Sequence, residues 1–206
     1  AEYILSSRKM QIEILPPDIN FGESEFSADH GAIRYGLSAI KSLGAPMIRA
    51  IVEERNENGK YQSLRDFIER MSGRELNKRA IENLIKAGAL DQVAGNRRQK
   101  LMVYAEIVDA VNQEKKNAMT GQMSLFDLVS DEEKKEYEIR MPDVEEYDKE
   151  MILAFEKDVL GIYLSGHPLE RYRNIMEKMI SAKTTDFQPD EESGIPKVYD
   201  GQKVII

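Results

Sequence analysis

The strongest constraint on this chain is a break that occurs twice. Leu37-Ser38-Ala39-Ile40-Lys41 has a helical pattern, stops at Ser42-Leu43-Gly44, and restarts at Pro46 with Ile48, Ile51 and Val52 at spacings of three and four. Leu84-Ile85-Lys86-Ala87-Gly88 stops in the same way, and Asn96 opens the next run. Helices this short gain few hydrogen bonds beyond the cost of their nucleus, so they persist only by burying apolar stripes against each other. The pattern therefore predicts a small, mainly α bundle.

The remaining punctuation places the elements. Ile12-Glu13-Ile14-Leu15 reads as a strand before a Pro16-Pro17 step, and residues 23–35 alternate loosely around Phe26 and Ile33. Asn58-Gly59 ends the helix that Pro46 opens; proline costs nothing there, because the first helical N–H has no partner to lose. Ser63 caps a helix through Met71, and Asn77 caps one with Ile81, Leu84 and Ile85 inward. Asn96 caps a longer helix whose inward face is read as Leu101, Tyr104, Val108 and Val111. A helix over about 145–165 is expected to bury Ile152, Phe155, Val159 and Ile162 and to stop at Gly166, before Pro168. Tyr172–Met179 reads as a final short helix. From Thr184 the chain turns to strand and turn residues, with Asp200-Gly201 before an apolar Val204-Ile205-Ile206. The chain starts without methionine, inside a helix-like run, and stops inside a strand-like one, so its termini read as cuts within a longer polypeptide.

The net charge of −8 is unevenly spread: residues 31–116 carry 16 Lys/Arg against 11 Asp/Glu, between acidic flanks. A basic block between acidic segments suggests a polyanion partner. The absence of cysteine excludes disulfides, thiol catalysis and cysteine metal sites. No apolar run reaches the ~18 residues of a membrane span, so no membrane partner is expected and the protein reads as cytoplasmic.

Lys41, Ser42, Leu43, Gly44 and Ala45 are the first candidate site. A hairpin there offers unpaired N–H groups at the start of a helix, where the dipole favours an anion, while Leu43 pins the two arms from inside. The segment resembles the helix-hairpin-helix motif, whose hairpin is typically Gly-apolar-Gly; Ser42 takes the place of the first glycine. Such a device touches no base edge, so binding is expected to ignore sequence and weaken with salt. A second hairpin supplies Lys86, Gly88, Asn96, Arg97 and Arg98. With Lys100, those arginines crowd a helix start that disfavours cations, which points to phosphate. Gln122-Met123-Ser124-Leu125-Phe126 is an apolar island on a polar stretch. Burying Leu125 and Phe126 in a partner's pocket contributes roughly 3–6 kcal/mol before ordering costs. The peptide resembles the pentapeptide by which bacterial proteins bind the ring-shaped sliding clamp, with Met123 at the usual leucine.

Read together, Leu15-Pro16-Pro17-Asp18-Ile19-Asn20, Ile33-Arg34-Tyr35-Gly36-Leu37-Ser38-Ala39-Ile40-Lys41, Ser63-Leu64-Arg65-Asp66-Phe67, Asn77-Lys78-Arg79, Leu84-Ile85-Lys86-Ala87-Gly88-Ala89 and Phe155-Glu156-Lys157-Asp158-Val159-Leu160-Gly161-Ile162-Tyr163-Leu164-Ser165-Gly166-His167-Pro168-Leu169 resemble, in order, the alpha subunit of bacterial DNA polymerase III, family C. The resemblance implies an architecture: the end of a fingers domain (1–30), a tandem helix-hairpin-helix DNA-binding domain (31–116), a linker with the clamp motif (117–134), a helical connection (135–183) and a truncated OB-fold start (184–206). It implies duplex primer-template DNA, the sliding clamp and other replicase subunits as partners. It also implies a parent that is a DNA-directed DNA polymerase using magnesium, with no catalytic residue, metal site or cofactor in this stretch. Two other readings compete. One is an acidic protein-interaction adaptor without DNA binding. The other is a helix-hairpin-helix repair enzyme using Lys41, which lacks a matching downstream carboxylate; His30 and His167 are far apart in sequence.

Overall fold

The structure is a computed structural model and describes residues 4, 6–7, 10–74, 76–119, 139–189 and 194–206. The described chain is mainly helical with one small sheet, in two compact units, Ala1–Ser165 and Gly166–Ile206.

In the first unit, β1 (Ile14–Leu15), β2 (Ser27–Asp29) and β3 (Ala32–Arg34) form a sheet of order β1-β3-β2. β1 runs parallel to β3, with Ile14 opposite Ile33, and β2 runs antiparallel to it. The β2–β3 turn has positive φ at both His30 and Gly31, as a tight two-residue hairpin requires. Asn20 ties the preceding loop to the helices: its side chain donates to the Tyr61 carbonyl at 2.9 Å and accepts the Tyr61 N–H at 2.8 Å. The buried Arg55 guanidinium donates to the Ile19 and Gly22 carbonyls and to Glu23.

The helices are α1 (Ala45–Asn58), α2 (Leu64–Met71), α3 (Lys78–Lys86), α4 (Arg97–Met119) and α5 (Lys149–Leu160). Their buried stripes meet in one core that includes Leu37, Ile51, Phe67, Leu84 and Val111. Ser63 and Asn77 cap α2 and α3 by accepting the Asp66 and Ala80 amides, as their spacing predicts. Gly59 (φ 81) ends α1.

Four expectations are corrected. The first hairpin arm is a 3-10 turn, Leu37–Ala39, not an α-helix, with Ala39 and Ile40 N–H bonded three residues back. Too few residues precede Ser42 to complete a second α turn, and a repeat of three buries both Leu37 and Ile40. The inward face of α4 is Lys100, Val103, Ile107 and Val111, while Leu101, Tyr104 and Val108 are only partly buried. A lysine in the stripe concealed that register. α5 covers 149–160 rather than 145–165, because Asp148 caps it by accepting the Met151 N–H and Gly161, at φ 75, stops it before Gly166. Its buried face is Leu153, Glu156, Val159 and Leu160, and the Glu156 carboxylate accepts the Leu164 and Ser165 amides beyond the stop.

The second unit holds 3-10 turns at Glu170–Tyr172 and Thr184–Phe187, with α6 (Arg173–Met179) between them. Val204-Ile205-Ile206 is not a strand. The Ile205 carbonyl accepts the Ser181 and Ala182 N–H groups, a contact too short to make a ladder. Among the described residues no helix is long and apolar enough to cross a membrane.

Candidate nucleic-acid interface

The first hairpin is open. Ser42, Gly44, Ala45 and Pro46 are exposed, while Leu43 is buried between the arms as its apolar side chain predicts. Pro46 has no N–H, and the first helical bond of α1 runs from the Ile48 N–H to the Gly44 carbonyl at 3.1 Å. The Gly44, Ala45 and Met47 N–H groups have no acceptor among the described residues, and Gly44 supplies no side-chain cap. Gly44 has ordinary extended dihedrals (φ −78, ψ 151). A Cβ added there would meet only the Pro46 ring, at 3.6 Å. Nothing inside the fold therefore requires glycine at position 44, and its absent side chain leaves the approach to the amides clear. At Ser42 the reverse holds: φ is 67, the left-handed region that favours glycine.

Neighbouring elements fix this tip. The Lys41 N–H donates to the Val159 carbonyl at 2.9 Å, and the Lys41 carbonyl accepts from Asn83 Nδ2 at 2.7 Å. The hairpin base is thus held by α5 on one side and α3 on the other. The Lys41 ammonium lies 3.7 Å from Asp158, with both side chains mostly in solvent, which is a weak attachment.

The second hairpin is closed, and here the expected site residues take other roles. Arg97 is buried; its guanidinium forks onto Asp91 (2.7 Å from Nη2 to Oδ2) and donates to the Lys86 carbonyl. It lies on Gly88, whose positive φ of 81 and lack of Cβ make room for it. Lys86 pairs with Glu82 at 2.6 Å. Asn96 caps α4 through the Gln99 N–H and also donates to the Val144 carbonyl. The anion at this helix start is the chain's own: the Glu146 carboxylate accepts the Arg97 N–H at 2.8 Å and the Arg98 N–H at 3.1 Å. Of the five residues, only the Arg98 side chain is exposed, 5.7 Å from the Tyr147 ring centre. Lys100 is fully buried and donates to the Leu90, Val93 and Gly95 carbonyls. Burial pushes its ammonium below its ordinary value, while Asp91 and Glu146 oppose that shift. Arg97 and Lys100, two of the cations that suggested phosphate, are structural, because the Asp91 carboxylate and backbone carbonyls already satisfy them.

Sequence reasoning missed Asn83, Glu146 and Glu156. Each acts on backbone through a tertiary contact, and Asn83 and Glu146 lie more than forty residues from the groups they hold. No local pattern announces them. Gln122, Met123, Ser124, Leu125 and Phe126 lie outside the described residues. Among the described residues no group of three or more His, Asp or Glu converges to hold a metal ion.

A family model described as "Helix-hairpin-helix motif" matches residues 11–100, a span containing the whole first hairpin and the loop of the second. The chain is 35% identical over 192 residues to the DNA polymerase III subunit alpha of Borreliella burgdorferi, an alignment covering 93% of this chain. It is 37% identical over 186 residues to that of Chlamydia pneumoniae (90% of this chain) and 37% identical over 183 residues to that of Vibrio cholerae (88%). This chain belongs to the DNA polymerase III alpha-subunit family. It spans 15–17% of the length of these relatives. Within this alpha-subunit segment both hairpin loops fall in the matched stretch, while Glu146, whose carboxylate occupies the second helix start, lies beyond it.

Proposed function

We propose that this chain is a duplex-DNA-binding segment of a replicative polymerase and grips the nucleic-acid backbone at the first hairpin. The observation that carries this reading is the set of free amides of Gly44, Ala45 and Met47 at the start of a 14-residue helix, beneath an exposed glycine that the fold does not need. A phosphate there takes N–H donors and the positive end of the dipole. Ser42 and Lys41 flank it with a hydroxyl and a loosely held ammonium. The names of the relatives support the polymerase setting. In this reading nucleotidyl transfer and its magnesium belong to parts of the alpha subunit outside this segment. The setting is cytoplasmic, alongside other replicase subunits.

Fluorescence anisotropy of a labelled primer-template duplex tests the DNA reading. Affinity should fall steeply with salt and hardly change when the duplex sequence is shuffled. Absence of binding at low salt would leave the adaptor reading in its place. Gln122-Met123-Ser124-Leu125-Phe126 is proposed to tether the segment to the sliding clamp. Leu125→Ala with Phe126→Ala should abolish capture by immobilised clamp and leave DNA affinity unchanged; surviving capture would move the anchor elsewhere.

A further inference from the structure

We infer that Arg49 is a DNA-phosphate ligand of the first hairpin, an inference that rests on the backbone-binding reading above. Sixteen Lys and Arg lie between residues 31 and 116. Nearly all are engaged within the chain, in ion pairs as for Arg55 and Arg70, on carbonyls as for Lys100 and Lys115, or on rings as for Lys60. Among the described residues, two have no such partner, Arg49 and Arg79, and both are exposed.

Their positions differ in what they face. Arg49 is four residues past Ala45 and three past Pro46 on α1, so it shares their exposed face. Side chains on a helix tilt toward its N-terminus, so Arg49 leans toward the helix end that carries the open Gly44, Ala45 and Met47 amides. Glu53, a turn further along, makes no ion pair with Arg49. A phosphate seated on the amides would therefore meet a guanidinium with its whole donor fork available. Arg79 sits on α3 one turn before Asn83, the residue that holds the hairpin base. The same tilt carries Arg79 away from the hairpin. Equal charge and equal freedom with opposite direction make Arg79 the internal control.

The test is anisotropy of the full chain with a labelled duplex, titrated from about 50 to about 300 mM salt, where each lost phosphate contact removes about 0.9 from the slope of log K against log salt. Arg49→Gln should lower that slope by about one and weaken binding roughly fivefold to tenfold near 0.1 M salt. Arg49→Lys should retain the slope, and Arg79→Gln should leave it unchanged. Thermal midpoints of all three should match the parent chain, since neither arginine supports the fold. An unchanged slope for Arg49→Gln overturns the inference, and so does an equal loss for Arg79→Gln, which would reduce the effect to general surface charge. Failure of the parent chain to bind at any salt sinks the backbone-binding reading itself, so the two failures are distinguishable.

Discussion

Ser42 and Gly44 have exchanged the demands usually made of a serine and a glycine. Ser42 occupies left-handed backbone at φ 67, where its Cβ crowds the following carbonyl, while Gly44 occupies extended backbone open to any residue. Ser42→Gly should therefore stabilise the chain by on the order of 1 kcal/mol, read as a shift in urea midpoint without a change in slope. Gly44→Val should do the opposite kind of thing. Its Cβ meets only an ordinary contact, so stability should stay within about 1 kcal/mol, while the branched side chain covers the amides and DNA affinity falls at least tenfold. A Gly44→Val chain that unfolds, or that binds DNA as before, would contradict the assignment of Gly44 to ligand access. These two positions were singled out by sequence, but which of them needed glycine for the backbone and which for approach was legible only in the dihedrals.

At the scale of elements, the closed hairpin depends on Lys100, which the sequence pattern assigned to phosphate, and on Glu146, which that pattern passed over. Lys100→Met should destabilise the chain by roughly 3 kcal/mol, because the Leu90, Val93 and Gly95 carbonyls lose a shared charged donor, leaving Leu90 only the Val93 N–H. Glu146→Gln should cost about 1 kcal/mol and accelerate hydrogen exchange at the Arg97 and Arg98 amides, since a charged acceptor at a helix start is replaced by a neutral one. If those amides exchange no faster, Glu146 is not their cap. Element ends were largely readable because a cap acts over three residues: Ser63, Asn77 and Asn96 each accept the N–H three positions on. The roles of Arg97 and Lys100 were not readable, because their partners lie on a loop and on a segment 49 residues downstream whose approach no local spacing encodes. A cluster of cations at a helix start has two solutions, external phosphate or internal carboxylate and carbonyl. Only the tertiary fold selects between them.

Across the first unit as a whole, the sheet-bearing N-terminal loop and the helices meet at Tyr61. Its backbone pairs with Asn20, its ring packs edge-on against Phe67, and its hydroxyl donates to the Ile51 carbonyl at 2.9 Å. Burial pushes that hydroxyl from its ordinary 10.0 up to about 12. The folded chain therefore keeps its Tyr61 proton where the unfolded chain has begun to lose it. The unfolded state binds fewer protons in that window, so stability is fully present below pH 10 and declines as pH rises from 10 towards 12. Urea unfolding followed across that range should show a falling midpoint. Tyr61→Phe should start about 1 kcal/mol lower at neutral pH, having lost the bond to Ile51, but should fall less steeply in alkali. Because Asn20 and Tyr61 lock the two parts together, loop and helix probes should report the same midpoint at every pH. A loop that melts first in alkali would show that Tyr61 anchors only the loop, and that the helices hold the open hairpin without it.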